Sequence, residues 1–460
     1  MKTIKYTTVK EPKIFEAVTP VFLTDETMNS RKEKLLQQMK DLQFDSLVIY
    51  ADREHGANFE YLTGFVPRFE EGLLILHRTG EASLVLGNEN LKMGDHSRIE
   101  ANLYHSPYFS LPNQPMAHER ALREIFNEIG LNGAQKVGLI GWKMFTPNQC
   151  DGQALFDIPY FIVEELKQSA KQAKLINACH LFIGGSNGVR TTNNANEIAH
   201  YEYGANLAST RMLQAMNAVQ PGVKESDLGE CLNGEGQLNP VVTIAATGDR
   251  FEKANFYPTH KEIKTGDKLS LTVGYKGGLS SRSGFVIKEV EQLPDDQNDY
   301  LEKVVFPYYR GITAWLSEVK IGCSGEEIYQ VIDDALPKSV YGWSLNPGHL
   351  VADEEWMSSP IYPGSKEEIK SGMLFQIDII PSVKGYQGTS AEECVAIADQ
   401  KLQHAIKEQY PDLWQRIVTR KRYIKEELNI DVSPDILPLS NTVGYLRPFF
   451  LAKDLALKIG

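Results

Sequence analysis

The chain lacks most of the features that assign a sequence quickly. It has five cysteines in 460 residues, Cys150, Cys179, Cys231, Cys323 and Cys394, dispersed and without a CxxC pair. That pattern excludes a disulfide framework or a zinc knuckle and suits a reducing compartment. Positive charge is in deficit: 48 Lys and Arg against 60 Asp and Glu give a formal net charge of −12, so nucleic acid is not an expected partner. The one basic run, "RKRY" at Arg420–Tyr423, sits in a mixed-charge helical stretch and reads as a solvated face. No apolar run approaches the roughly 18 residues that cross a bilayer. The first residues hold neither the apolar core nor the cleavage site of a secretory signal. No membrane association and a cytoplasmic location are therefore expected. Neither GxGxxG nor GxxxxGK[ST] occurs, so no phosphate loop is indicated, and no tandem repeat is visible at solenoid periods.

What is present is ordinary globular composition, 42% hydrophobic and 23% charged, in a chain long enough for two or three domains at roughly 100–200 residues each. In the first part, "NSRKEKLLQQMKDLQFDSLVIY" joins a helix, with Asn29 or Ser30 as its cap, to a strand at Ser46–Tyr50. Short apolar runs follow at Gly72–His77, Ser83–Gly87 and Lys136–Gly141, the last two separated by the helical "AHERALREIFNEIG". Strands interleaved with helices give an α/β domain over residues 1–185. "GGSNGVRTTNN", Gly184–Asn194, has linker composition. A long helix runs from about Asn196 to Val219, where Pro221-Gly222 stops it; its Met and aromatic stripe is core packing. Residues 190–460 then read as α+β. After the long helix come a hairpin at Gly266–Ile287, helices at Asp299–Val319 and Gly325–Leu336 and strands at "GMLFQIDII" and "SAEECVAIA". The proline-punctuated "SPDILPLSNTVGYLRPFF" reads as an extended surface segment.

Three strand ends carry polar groups. His349 follows the Pro-Gly of "NPGHL", Asp378 interrupts the apolar "FQIDII", and Glu392 and Glu393 enter "SAEECVAI". A lone acid in an apolar strand is costly unless paired or bound to a cation, and imidazole and carboxylates on adjacent strands can converge on one divalent ion. The hairpin centre holds only small hydroxyls: Thr272, Ser280, Ser281 and Ser283.

With "YLTGF", "NEIAHYEYGANLAS", "VQPGVKESDL", "NPGHL", "SGMLFQIDIIPS" and "SAEECVAI" in this order, the chain resembles the creatinase/aminopeptidase P/methionine aminopeptidase family, the two-domain Xaa-Pro aminopeptidase-like members above all. The resemblance covers most of the chain. It implies an α/β N-terminal creatinase-like domain plus an α+β pita-bread C-terminal domain, and a homodimer. It also implies a pair of divalent metals held by Asp, Asp, His, Glu and Glu. Carried over residue by residue, the first Asp falls on Thr272 and the second on Ser281 or Ser283. The His falls on His349, the first Glu on Asp378 and the last on Glu392. The family's substrate-contacting His falls on Asn255, its later catalytic His on Trp356 and its Arg on Ser390.

The resemblance thus implies an incomplete dinuclear centre. No cofactor is expected, with room for a single divalent ion (Mn, Co or Zn) at His349, Asp378 and Glu392. The favoured reading is a non-catalytic or diverged peptidase homologue that binds a peptide or small molecule. The alternative is an active hydrolase using His349, Asp378 and Glu392, as a one-metal Xaa-Pro aminopeptidase or a metal-independent amidohydrolase. In the one-metal version Asp353, Glu354 or Glu355 replaces the missing charge. A purely structural, hydrogen-bonded cluster is the remaining expectation.

Overall fold

The computed structural model of the chain describes residues 3–67 and 69–460. They form two compact units, one spanning Leu23–Thr191 and the other joining the segment up to Phe22 to Thr192–Gly460. This differs from the expected 1–185 domain at its start. Strand β1 (Ile4–Thr8) pairs antiparallel, residue for residue, with Leu455–Ile459, so the first segment belongs with the C-terminal unit.

The Leu23–Thr191 unit is built on β2 (Ser46–Ala51), β3 (Gly72–His77), β4 (Ala82–Leu86), β5 (Asn102–His105), β6 (Lys136–Ile140) and β7 (Lys174–Asn177). They form one sheet in the order β5-β4-β3-β2-β6-β7, with β2, β6 and β7 parallel and β3 antiparallel to both neighbours. Every residue of β2 is buried, as its unbroken apolar run requires of a strand covered on both faces. On one face Val48, Tyr50, Ile75 and Leu139 pack with Ile125 and Phe126 of the helix Leu122–Ile129 and with Ile162 and Leu166 of Tyr160–Ser169. The helix Asp25–Asp41 begins a turn earlier than expected. Its cap is Thr24, whose hydroxyl accepts from the Thr27 N–H at 3.2 Å, and Asn29 and Ser30 lie inside it.

The Gly184–Asn194 stretch is no loose tether. Val189 and Arg190 donate N–H groups to Leu181 and Phe182 carbonyls at 2.8 and 3.0 Å, and Val189, Arg190 and Thr191 are buried.

In the other unit the helix Ala195–Ala218 starts from a capping box of Asn194 and Glu197 and is buried along most of its length. It lies against the hairpin of β9 and β10, in a sheet that also holds β8 (Ile244–Thr247); β9 is Lys268–Tyr275 and β10 is Gly278–Phe285. Two glycines permit that contact. A Cβ on Gly204 would stand 1.9 Å from the Lys276 carbonyl oxygen, and one on Gly277 (φ +105°) 2.1 Å from that of Tyr201.

The remaining strands are β11 (His349–Leu350), β12 (Leu374–Gln376), β13 (Ser390–Glu392), β14 (Cys394–Ile397), β15 (Ile436–Pro438) and β16 (Leu455–Ile459). Two four-stranded sheets result, β13-β10-β9-β8 and β11-β12-β14-β15. The run expected as a single strand, Ser390–Ala398, is therefore two strands in different sheets, divided at Glu393. The strand expected over Gly372–Ile380 is regular only at β12. The helix expected from Asp299 opens as a π turn, Leu301–Val305, before the α-helix Phe306–Glu318, consistent with Pro307 having no N–H to offer the preceding turn. The Ser433–Phe450 segment is core rather than surface. Ile436, Leu437, Leu439, Tyr445, Leu446, Phe449 and Phe450 are fully buried, and β15 pairs with β14. Among the described residues no helix is long and apolar enough to cross a membrane.

Candidate metal and ligand site

The two sheets of the larger unit bring His349, Asp378 and Glu392 together. One ligand atom from each lies within 4.8 Å of the others, and all three residues are buried. β11 presents His349, paired with Gln376 of β12, and Asp378 follows two residues beyond Gln376. Glu392 ends β13, opposite Ser281. The Gln376 side chain ties the sheets: its amide donates to the Leu279 carbonyl at 2.7 Å and accepts from the Leu279 N–H at 3.3 Å. Neighbouring Glu393 turns the other way. Its carboxylate accepts from Ser280 Oγ at 2.7 Å, from Arg282 Nη2 at 2.6 Å and from the Thr442 hydroxyl, while its backbone carbonyl accepts from Ile377 N–H at 2.9 Å. Gln376 and Arg282 are site-building residues that the sequence reading missed, and Glu393, which it named only beside Glu392, is another. A polar residue in the apolar "LFQID" and the doubled acid in "AEECV" were the available signals, since adjacent strand residues face opposite ways.

Burial dominates the electrostatics. The His349 Nδ1 lies 3.2 Å from the Leu350 carbonyl oxygen, so a proton there is donated to the backbone. Nε2 is then left with its lone pair, 3.9 Å from Asp378 Oδ2. Desolvation lowers the imidazole pKa to about 4, and the ring is neutral at physiological pH. Burial pushes the Asp378 carboxyl up, with the Glu355 charge adding to it. Burial also pushes Glu392 up, reinforced by Asp378, Glu355 and Glu393 and opposed by Arg282. Asp378 Oδ1 is buried without a hydrogen-bond partner.

The hairpin presents no acid. Thr272 and Ser281 are directly paired across β9 and β10, and their hydroxyl oxygens lie 3.0 Å apart. Ser283 sits two pairs along, opposite Ser270 and Ser390, so Ser281 is the serine that faces Thr272. Asn255 is exposed, its amide 3.4 Å from the Lys253 carbonyl, and is not in the cluster. Trp356 is 39% exposed, and its ring stacks on that of His349 at 4.1 Å and 20°. Asp353 is held by Tyr201 Oη at 3.0 Å and Lys276 Nζ at 3.6 Å.

Compared with known families, residues 199–399 match metallopeptidase family M24 and residues 31–182 match the creatinase/prolidase N-terminal domain. The chain carries an M24 domain behind a creatinase-type one. Solved structures agree on the fold. The chain is similar to the Xaa-Pro dipeptidase from Bacillus anthracis at 16% identity and a TM-score of 0.60, over 81% of this chain and 96% of that one. The prolidase from Pyrococcus horikoshii gives 17% and 0.61 over 80% and 96%. The X-Pro aminopeptidase from Thermotoga maritima gives 15% and 0.59 over 80% and 95%. A sequence comparison with curated proteins finds no match. The larger unit is therefore the pita-bread domain of an M24 protein.

M24 peptidases work with divalent metals, and the residues here fit one such ion but not two. His349, Asp378 and Glu392 form a nitrogen-and-carboxylate donor set, one ligand atom of each within 4.8 Å of the others, of the type that binds such an ion, and Asp378 Oδ1 is without a hydrogen-bond partner. Thr272 and Ser281 offer neutral hydroxyls already hydrogen-bonded to one another, a poor substitute for carboxylates on a dication.

Proposed function

We propose that this chain is a diverged M24 protein that binds a peptide or small molecule at the His349–Asp378–Glu392 cluster and does not hydrolyse Xaa-Pro bonds by the two-metal route. The observation that carries this reading is the Thr272–Ser281 hydrogen bond opposite Glu392. Two-metal hydrolysis depends on a pair of cations about 3.5–4 Å apart that activate one water, and carboxylates must bridge or flank such a pair to offset their charge. Hydroxyls supply no charge. A single ion held by His349, Asp378 and Glu392 would still supply Lewis acidity. The chain's own groups would orient a ligand carbonyl or amine beside Trp356, and the buried carboxyls would hold protons. Asn255 and Ser390, on which the resemblance places the family's His and Arg, are both uncharged, and Asn255 lies outside the cluster.

A second reading is supported by His349 Nε2 and Asp378 Oδ2 lying 3.9 Å apart with Glu392 beside them. A neutral imidazole and a carboxyl shifted upward make a usable base and acid for amide hydrolysis. A homodimer in the cytoplasm accompanies either reading, by analogy with the family alone, and light scattering of the purified protein tests the dimer. The deciding experiment measures metal content by plasma mass spectrometry after loading with Mn²⁺, Co²⁺ or Zn²⁺, alongside cleavage of a panel of Xaa-Pro dipeptides. At most one ion per chain and no Xaa-Pro turnover is the expected result. Two ions per chain with turnover would overturn it. Turnover of an amide that survives EDTA and is lost in Glu392→Gln would select the second reading.

A further inference from the structure

A second place in the larger unit gathers charged side chains around a cavity. The segment Glu11–Phe22 runs along the helix Ala195–Ala218 in the opposite direction, with Asn217 donating to Glu11 at one end and Asn196 to the Phe22 carbonyl at the other. Midway, the Asn206 amide donates to the Phe15 carbonyl at 2.8 Å. Between segment and helix lies a cleft of about 150 Å³. Pockets for drug-sized ligands run to roughly 300–1,000 Å³, so this one suits a small organic molecule.

Phe15, Val18 and Leu207 give the cleft an apolar lining, and Arg211, Glu235 and Glu16 bring charge to it. Arg211 is only partly engaged. Its Nη1 donates to Gln214 Oε1 at 3.2 Å, and its Nη2 stands 4.0 Å from Glu235 Oε1, the outer limit of an ion pair. Its Nε is buried with no hydrogen-bond partner, which is costly for a charged donor. Glu235 accepts instead from Tyr203 Oη at 2.7 Å, through its other oxygen. The Nε–Nη2 edge of a guanidinium is the fork that grips a carboxylate with two parallel bonds, and here that edge is uncommitted.

The surrounding charges restrict what can enter. A plain carboxylate on the fork would lie beside Glu235, and a plain ammonium beside Glu235 would lie beside Arg211. A molecule with both charges on one carbon meets each with its opposite. Glu16, whose Oε1 accepts from Gln214 Nε2 at 2.8 Å, adds a second carboxylate for the ammonium.

We propose that this cleft is a binding site for a free α-amino acid with a small apolar side chain. Arg211 receives the carboxylate on its Nε–Nη2 edge, Glu235 and Glu16 take the ammonium, and Phe15, Val18 and Leu207 cover the side chain. A bound molecule joins the Glu11–Phe22 segment more firmly to the helix, so binding should raise the melting temperature. None of these residues belongs to the His349 cluster, and the inference does not depend on whether a metal binds there.

The test is a calorimetric titration of the full chain with L-valine in EDTA, with melting curves in parallel. Isovalerate and isobutylammonium, which keep the side chain and one charge each, are the controls. The variants are Arg211→Met, Arg211→Lys, Glu235→Gln and Glu392→Gln, and circular dichroism confirms that each is folded. One saturable site for L-valine and a higher melting temperature are expected, with either control at least about tenfold weaker. Arg211→Met and Glu235→Gln should each weaken L-valine about ten- to a hundred-fold, the worth of a charge-assisted hydrogen bond. Arg211→Lys keeps the charge without the fork and should fall between. Glu392→Gln, altered at the metal cluster, should take L-valine as wild type does. No saturable binding of L-valine would overturn the proposal. Isovalerate held as tightly as L-valine would overturn the amino acid as ligand in favour of a plain anion. Binding lost in Glu392→Gln and kept in Arg211→Met would move the amino acid to the metal cluster and overturn the cleft as its site.

Discussion

Restoring the acids to the hairpin tests whether Thr272 and Ser281 stand on the rim of a shared site. In Thr272→Asp/Ser281→Asp two carboxylates would project from positions whose hydroxyl oxygens are now 3.0 Å apart, with Glu392 directly across from one of them. Two like charges about 4 Å apart at an effective dielectric near 20 repel by about 4 kcal/mol. Relief by protonation is no cheaper, because keeping one aspartic acid neutral at pH 7 costs about three pKa units, again about 4 kcal/mol. The metal-free double variant should therefore lose about 4 kcal/mol, a fall in melting temperature on the order of 10 °C for a unit of this size. Saturating Mn²⁺, at about 100 times its Kd, should return roughly 2.7 kcal/mol per site, and bound metal should rise from one ion per chain to two. Thr272→Asn/Ser281→Asn, similar in volume and uncharged, separates crowding from charge and should show neither effect. The assay is thermal unfolding in EDTA and in Mn²⁺, with metal content by mass spectrometry. A double aspartate variant that melts with wild type in EDTA and takes up no additional ion would refute the reasoning.

Three further outcomes follow from the same structure. Asp378 and Glu392 have pKa values raised above their unfolded values by burial, so they bind protons more readily when folded, and the metal-free protein should gain stability as pH falls from 8 toward 6. Melting curves in EDTA should show this gain diminished in Asp378→Asn/Glu392→Gln. Arg282→Met strands the buried Glu393 carboxylate and should cost about 3–5 kcal/mol in urea unfolding, while Arg282→Met with Glu393→Leu should recover most of it. Gly204→Ala drives a methyl to 1.9 Å from the Lys276 carbonyl and should cost about 3 kcal/mol, at the upper end for overpacking, because backbone lies on both sides.

The parts of the fold that could be read from sequence were those fixed by local pattern. The Gly72–His77 strand, the long buried helix and the β9–β10 hairpin each follow from an apolar period and a glycine or capping signal at the ends. The failures involve distant partners. The tail from Ser433 looked like surface because proline and small polar residues interrupt it, but β14 needs a neighbour and the apolar side chains of the tail fill the core. The break at Glu393 was invisible because its cause, Arg282, lies 111 residues away. At the site, the grouping of His349, Asp378 and Glu392 was anticipated from strand order and family resemblance. That Tyr201 and Lys276 claim Asp353 was not, since both partners lie far away in sequence.

Glu392 and Glu393 are consecutive, yet one joins His349 and Asp378 and the other locks the crossing between sheets. Chemistry and architecture are thereby assigned to separate side chains at the most constrained point of the domain. Substitutions on the cluster side can accumulate while the Arg282–Glu393 lock keeps the framework in register. A lineage could thus exchange one ligand set for another, or abandon catalysis for binding, through intermediates that all remain folded. Had a single acid served both purposes, each change of chemistry would have passed through an unfolded protein.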